Sequence, residues 1–212
     1  MPVVKEGNHA LSPDCNLQKS ASTFTGNGWV PVSVNSHLHQ SSSYAPADPL
    51  SDVHLSEAEM KSRRTVSHII SEMIQTERDY VRALHLITDH YVPEMQREDL
   101  PQMLRGKRTV IFGNLEKIQH FHSQYFLKQL ERCQNQPFLV GQSFLHYKTM
   151  LELYPLYNKN KPKSDFLMME CGKMFFKQKQ LQLGDRMDLS SYLLKPVQRM
   201  GKYSLLLKQL LK

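Results

Sequence analysis

Cysteine is scarce in this chain. The three that occur, Cys15, Cys133 and Cys171, lie far apart, with no CxxC pair and no histidine at ligand spacing. Their spread argues against a disulfide framework or a zinc site and fits a reducing, cytoplasmic setting. Long apolar runs are missing too: nothing approaches the ~20 residues needed to cross a bilayer, so no transmembrane segment is expected. The first residues, MPVVKEGNHALSPD, lack the basic and apolar regions of a signal peptide and the second-position glycine that myristoylation requires. Also absent are GxxxxGK[ST], a GxGxxG after a strand, HExxH and GxSxG. Glu77 and Asp79 fall on different helix faces, so no paired-carboxylate site is supported. The ten histidines are scattered, and His120 and His122 alone make no metal motif. No covalent catalytic residue, cofactor or metal is expected. An enzyme of this kind would have to act by reshaping a partner.

Clean apolar–polar alternation is absent as well, so nothing reads as sheet. What is present is helical periodicity, beginning near Leu55. Ser56 and Glu59 stand at capping-box spacing. Val66, Ile69, Ile70, Met73, Tyr80, Val81, Leu84 and Ile87 then return on one face, predicting a long helix that ends or bends near Pro93. After a polar turn with Pro101 and Gly106, a second helix is predicted from about Thr109 to Cys133. Pro137 opens a third, through Leu145, Met150 and Leu153, broken by the loop PLYNKNKPKSD. A fourth runs from about Ser164 to Gln180, where Lys173, Lys177 and Lys179 read as an outer face with Phe175 and Phe176 turned inward. Asp188 is a candidate N-cap for the terminal helix. That helix carries Leu189, Tyr192, Leu193, Val197, Met200, Tyr203, Leu207 and Leu210 on its apolar stripe and Pro196 in its interior. An interior proline removes a donor and crowds the preceding turn, so its presence asks for a packing or functional reason.

Residues 1–55 differ in kind. Rich in Ser, Pro, Asn, His and Gly, they show no stripe and are expected to form a disordered tail in preference to a short docking motif at Trp29, Val30 and Val32. The formal charge of +7 points to an acidic partner, whether nucleic acid, anionic lipid or a protein surface, and does not choose among them.

Three segments carry a resemblance. SEMIQTERDYVRAL (71–84), IFGNLEKIQHFHSQYFLKQLE (111–131) and LSSYLLKPVQRMGKYSLLLKQLL (189–211) resemble, in order and separation, the motifs of the Dbl-homology domain of Rho-family guanine-nucleotide exchange factors. NKPKSDFLM (160–168) is similar to the branch containing Trio, Dbs and puratrophin. The resemblance implies an all-α fold, an elongated helical bundle over residues 56–212. It implies exchange on a Rho-family small GTPase by stabilising its nucleotide-free state. Glu72 would engage switch I and Lys202 switch II. Gln198 and Arg199 would support that face or serve as internal hydrogen-bonding residues. Glu77, Arg78 and Tyr80 are expected as helix-surface and packing residues, and Tyr203 as core.

Measured against that family, the chain is expected to lack the end of the third-motif helix, the closing helix and the lipid-binding domain, as a C-terminally truncated form would. Peripheral membrane association is expected only of a longer form, and nucleic acid is not an expected partner. The alternative is a non-catalytic helical binding module, or a truncated isoform without exchange activity, associating through an exposed stripe of Leu206, Leu207, Leu210 and Leu211.

Overall fold

The computed structural model describes residues 56–212, and among these every regular element is helical. The expected tail and its Trp29 motif lie outside the described residues.

Helix α1 (Glu57–Leu86) starts where the capping box predicts. The Glu59 amide donates to Ser56 Oγ (3.3 Å), and the Ser56 amide donates to the Glu59 carboxylate (2.8 Å), so two otherwise orphaned donors are satisfied. Ile69, Ile70, Met73, Tyr80, Val81 and Leu84 are buried along its length, as their spacing requires. Helical winding continues into a π-turn (Ile87–Tyr91) and bends at the short 3-10 turn Pro93–Gln96.

The predicted second helix is interrupted. Helix α2 (Arg108–Phe112) stops at Gly113, whose φ of +57° no other residue adopts readily. Winding resumes in α3 (Leu115–Phe121), a π-turn (His122–Phe126) and α4 (Leu127–Arg132). Two short helices, α5 (Leu139–His146) and α6 (Lys148–Leu151), follow.

The largest departure from the sequence reading is PLYNKNKPKSD, which is helix α7 (Leu153–Leu167) and no loop. Its composition is polar because its inward face works on backbone. Asn160 Nδ2 donates to the Val110 carbonyl (2.8 Å) and Ser164 Oγ to the Ile111 carbonyl (2.6 Å). Those two carbonyls lie in the last turn of α2, where no helical amide reaches them. Tyr154 and Tyr157 supply the apolar part of the same face, and Pro162 points to solvent. A π-turn (Met168–Gly172) joins α7 to α8 (Lys173–Gln182), which buries Phe176 and exposes Lys173 and Lys177.

Helix α9 (Leu189–Leu210) begins at Asp188, whose carboxylate accepts from the Ser191 amide (2.9 Å). It runs unbroken past Pro196, which is buried against the bundle. The Tyr157 hydroxyl donates to the Leu193 carbonyl (2.7 Å), supplying a bond in the turn that the proline disturbs.

The buried side chains form two apolar cores. One gathers the second half of α1 with α2, α3, α7, α8 and the start of α9. The other, smaller, gathers the first half of α1 with the second π-turn, α4, α5 and the end of α9. Glu77 of α1, His122 of the π-turn and Arg199 of α9 fall at the seam between them.

Candidate functional site

Helices α1 and α9 pack side by side, and on their solvent side Lys202 Nζ stands 2.6 Å from Glu72 Oε1. The two residues are 130 positions apart in sequence. Both side chains keep much of their surface in water, 38% for Lys202 and 48% for Glu72, so a partner can reach them. Beside the pair lies a cleft of about 290 Å³ lined by Thr76, Asp79, Tyr80, Lys195, Gln198, Arg199 and Lys202. Gln198 is exposed on its rim. Of the four residues the motifs single out, Glu72, Lys202 and Gln198 therefore share one accessible face.

Arg199 turns the other way. It is 5% exposed, and its guanidinium donates to Glu77 Oε2 from Nε (3.0 Å) and Nη2 (2.5 Å) and to Thr76 Oγ1 from Nη1 (3.0 Å). It also stacks 4.3 Å from the Tyr203 ring centroid. Of its two expected roles, the internal hydrogen-bonding one is what these contacts describe.

Of the surface and packing settings expected for this group, Glu77 takes the interior one. It is fully buried and accepts four hydrogen bonds: two from Arg199, one from the Tyr203 hydroxyl (2.5 Å) and one from His122 Nδ1 (2.6 Å). Burial alone would push its carboxyl up. The His122 ring, Arg199 and the Tyr203 hydroxyl outweigh that and hold it below the ordinary carboxylate value. An ionised carboxylate only accepts, so His122 Nδ1 carries the proton. His122 Nε2 meets the Tyr154 hydroxyl (2.8 Å), which meets the Tyr80 hydroxyl (3.0 Å). Burial pushes all three phenols, Tyr80, Tyr154 and Tyr203, well above their usual range, so they stay neutral donors. None of these buried side chains is left without a partner.

This network was not read from sequence, although its members other than Tyr154 stand in the motif segments. Glu77 and Tyr80 belong to TERDYV, His122 to FH, and Arg199 and Tyr203 to QRMGKY. One signal was available: Glu77 sits four residues after Met73 and three before Tyr80, on the apolar stripe itself. Arg78 behaves as expected of a surface residue, pairing with Glu131 at 2.8 Å across to α4. Tyr203 is core, 2% exposed.

Chemically, the exposed face offers two carboxylates (Glu72, Asp79), two ammonium groups (Lys195, Lys202) and the Gln198 amide on two helices locked together from beneath. Such a face can exchange its internal ion pair for charged and backbone groups of a docking protein.

Comparison with known proteins bears on which protein that is. A model of the RhoGEF domain matches residues 69–212. Human pleckstrin homology domain-containing family G member 4B is 59% identical over 145 residues, covering 68% of this chain and 9% of that protein. Human puratrophin-1 is 51% identical over 150 residues, covering 71% and 13%. Among solved structures, one of the Vav1 exchange factor superposes with a TM-score of 0.62 at 25% identity, over 70% of this chain and 42% of that one. An autoinhibited Dbl homology domain does so with a TM-score of 0.58 at 26% identity, over 70% and 74%. The chain thus spans a small fraction of the length of these two curated relatives.

Proposed function

The chain belongs to the RhoGEF, or Dbl-homology, family, and from that membership we propose that it promotes guanine-nucleotide exchange on a Rho-family small GTPase. The observation that carries the reading is the pairing of Glu72 with Lys202 on an open face of α1 and α9. In this reading Glu72 takes hydrogen bonds from switch I, drawing it from the nucleotide and its magnesium. Lys202 meets acidic and backbone groups of switch II, moving it toward the phosphate site. Switch loops suit this mechanism because nucleotide and magnesium contacts are what order them. A protein that binds the nucleotide-free GTPase better than the loaded one shifts the population toward release. Gln198, on the rim of the cleft, adds an amide to the same contact. Arg199 acts from beneath, holding α9 against α1.

The test is nucleotide release. The purified chain is mixed with Rho-family GTPases carrying a fluorescent guanine nucleotide, in excess unlabelled nucleotide. Release faster than buffer for at least one GTPase, slowed by about thirty-fold or more in Lys202→Ala, is expected. Release at the buffer rate for all of them rejects exchange by this chain.

One observation favours the second reading, a non-catalytic binding module. A hollow of about 490 Å³, lined by Val66, Phe138, Val140, Leu207, Leu210 and Leu211, opens where α1, α5 and α9 meet. Phe138 and Leu211 there are 94% and 88% exposed. Leu206, expected on that stripe, is instead core at 1% exposure. Tight GTPase binding without accelerated release would select this reading.

A further inference from the structure

Helices α7 and α8 carry a ridge of exposed apolar side chains that the bundle does not use. Phe166, Met174 and Leu181 are 62%, 83% and 68% exposed. Their spacings, eight and seven residues, place them on one side of the helix that α7, the π-turn and α8 form together. From Phe166 to Leu181 this side measures about 22 Å at the α-helical rise. Met169, 75% exposed, broadens it. Apolar surface of this extent in water marks a contact surface more often than an accident of folding.

Lysines accompany the ridge. Lys159 and Lys163 precede Phe166, and Lys173 and Lys177 bracket Met174; all four are exposed. None of them forms an ion pair with a described residue, whereas Lys161 and Lys179 on the same two helices are paired with Asp165 and Glu94. Lys107 and Lys163 also rim an apolar hollow beside Phe166, floored by Val110 and Leu167. A single acid, Glu170, stands within the ridge between Phe166 and Met174.

We propose that this ridge is a docking face for an anionic lipid bilayer. Phe166, Met174 and Leu181 enter the boundary between headgroups and acyl chains, and the lysines meet lipid phosphates and carboxylates with their stems along the apolar layer. Two features select a bilayer over an acidic helix of another protein. The surface is a convex ridge, whereas a partner helix lies in a groove. The positive charge accompanies the apolar residues along the ridge, and the chain carries +7 overall, which complements a negatively charged leaflet. None of the ridge residues lines the Glu72–Lys202 cleft, so the face is tested independently of exchange.

The experiment is sedimentation of the full chain with two kinds of vesicle: phosphatidylcholine alone, and phosphatidylcholine with phosphatidylserine at three parts to one. Pelleting with the second kind only, weakening as salt is raised, is expected. Lys163→Gln and Lys177→Gln each weaken it about five-fold. Phe166→Ser combined with Met174→Ser weakens it about tenfold or more, and Glu170→Gln strengthens it. All these positions are exposed, so helical circular dichroism stays unchanged and confirms that the variants are folded. Equal pelleting with both vesicles, pelleting with neither, or binding indifferent to the lysine and Phe166/Met174 changes overturns the proposal. So does capture on immobilised polyglutamate without vesicle binding, which assigns the ridge to an acidic protein surface.

Discussion

A carboxylate on the apolar stripe of a helix is costly unless the groups around it answer its charge, and around Glu77 four donors converge. Glu77→Ala leaves the Arg199 guanidinium buried without its counter-charge. The expected loss is about 3–5 kcal/mol, read as a lower denaturation midpoint in urea. Replacing both partners, Glu77→Met with Arg199→Met, removes the stranded charge and is expected to recover most of that stability. The pH dependence has a definite sign. The carboxyl is held below its ordinary value of 4.5, so its contribution is complete above that pH and disappears as pH falls through the lower folded-state value. Melting temperature should therefore drop more steeply on acidification in the wild type than in Glu77→Gln. The Glu72–Lys202 pair obeys different rules. Exposed as it is, it contributes less than about 1 kcal/mol to folding. Lys202→Ala should leave the melting temperature nearly unchanged while slowing nucleotide exchange by about thirty-fold or more, the usual cost of removing a charged partner from an interface. The charge swap Glu72→Lys with Lys202→Glu restores the internal pair but not exchange.

At the scale of elements, periodicity revealed α1 and α9 because both bury a continuous apolar stripe and carry their own N-caps. It misread α7 because that helix is held by polar groups. Asn160 and Ser164 reach carbonyls 50 and 53 residues away, a pairing that local composition does not encode. For the same reason Glu72, Lys202 and Gln198 were legible as motif residues, while the Glu77–His122–Arg199 network beneath them was not. Its members come from three separate helical segments, and each looks ordinary alone. The α2–α7 junction yields its own expectation. Ser164→Ala leaves the Ile111 carbonyl buried and unpaired, at about 1–3 kcal/mol. Gly113→Ala forces a side chain into φ +57°, with its Cβ 3.3 Å from Asn160 Nδ2, for a comparable loss. Both should appear as lower urea midpoints, with faster amide exchange in α2 than in α1.

For the helical unit as a whole, the decisive feature is that two apolar cores, bridged at their edge by Leu151, Leu153 and Met200, meet at a polar seam. A seam of hydrogen bonds couples the halves only while its geometry is intact, because each bond is directional whereas apolar contact is not. The core built by the first half of α1, α4, α5 and the end of α9 is the smaller and should open first once the seam is weakened. Glu72 adjoins Met73 and Lys202 adjoins Tyr203, so both belong to that half. Opening it separates the pair before the rest of the bundle unfolds. In Glu77→Gln, which strands the Arg199 charge as alanine does but keeps a carbonyl acceptor for its guanidinium, amides near Ile70 and Leu130 should lose protection while those near Leu84 and Phe112 keep theirs. Exchange activity of that variant should then fade at a temperature below its helical melting transition, whereas in the wild type the two coincide. Uniform amide protection in the variant, with activity and helicity lost together, would show that the two cores open as one and that the seam is only packing.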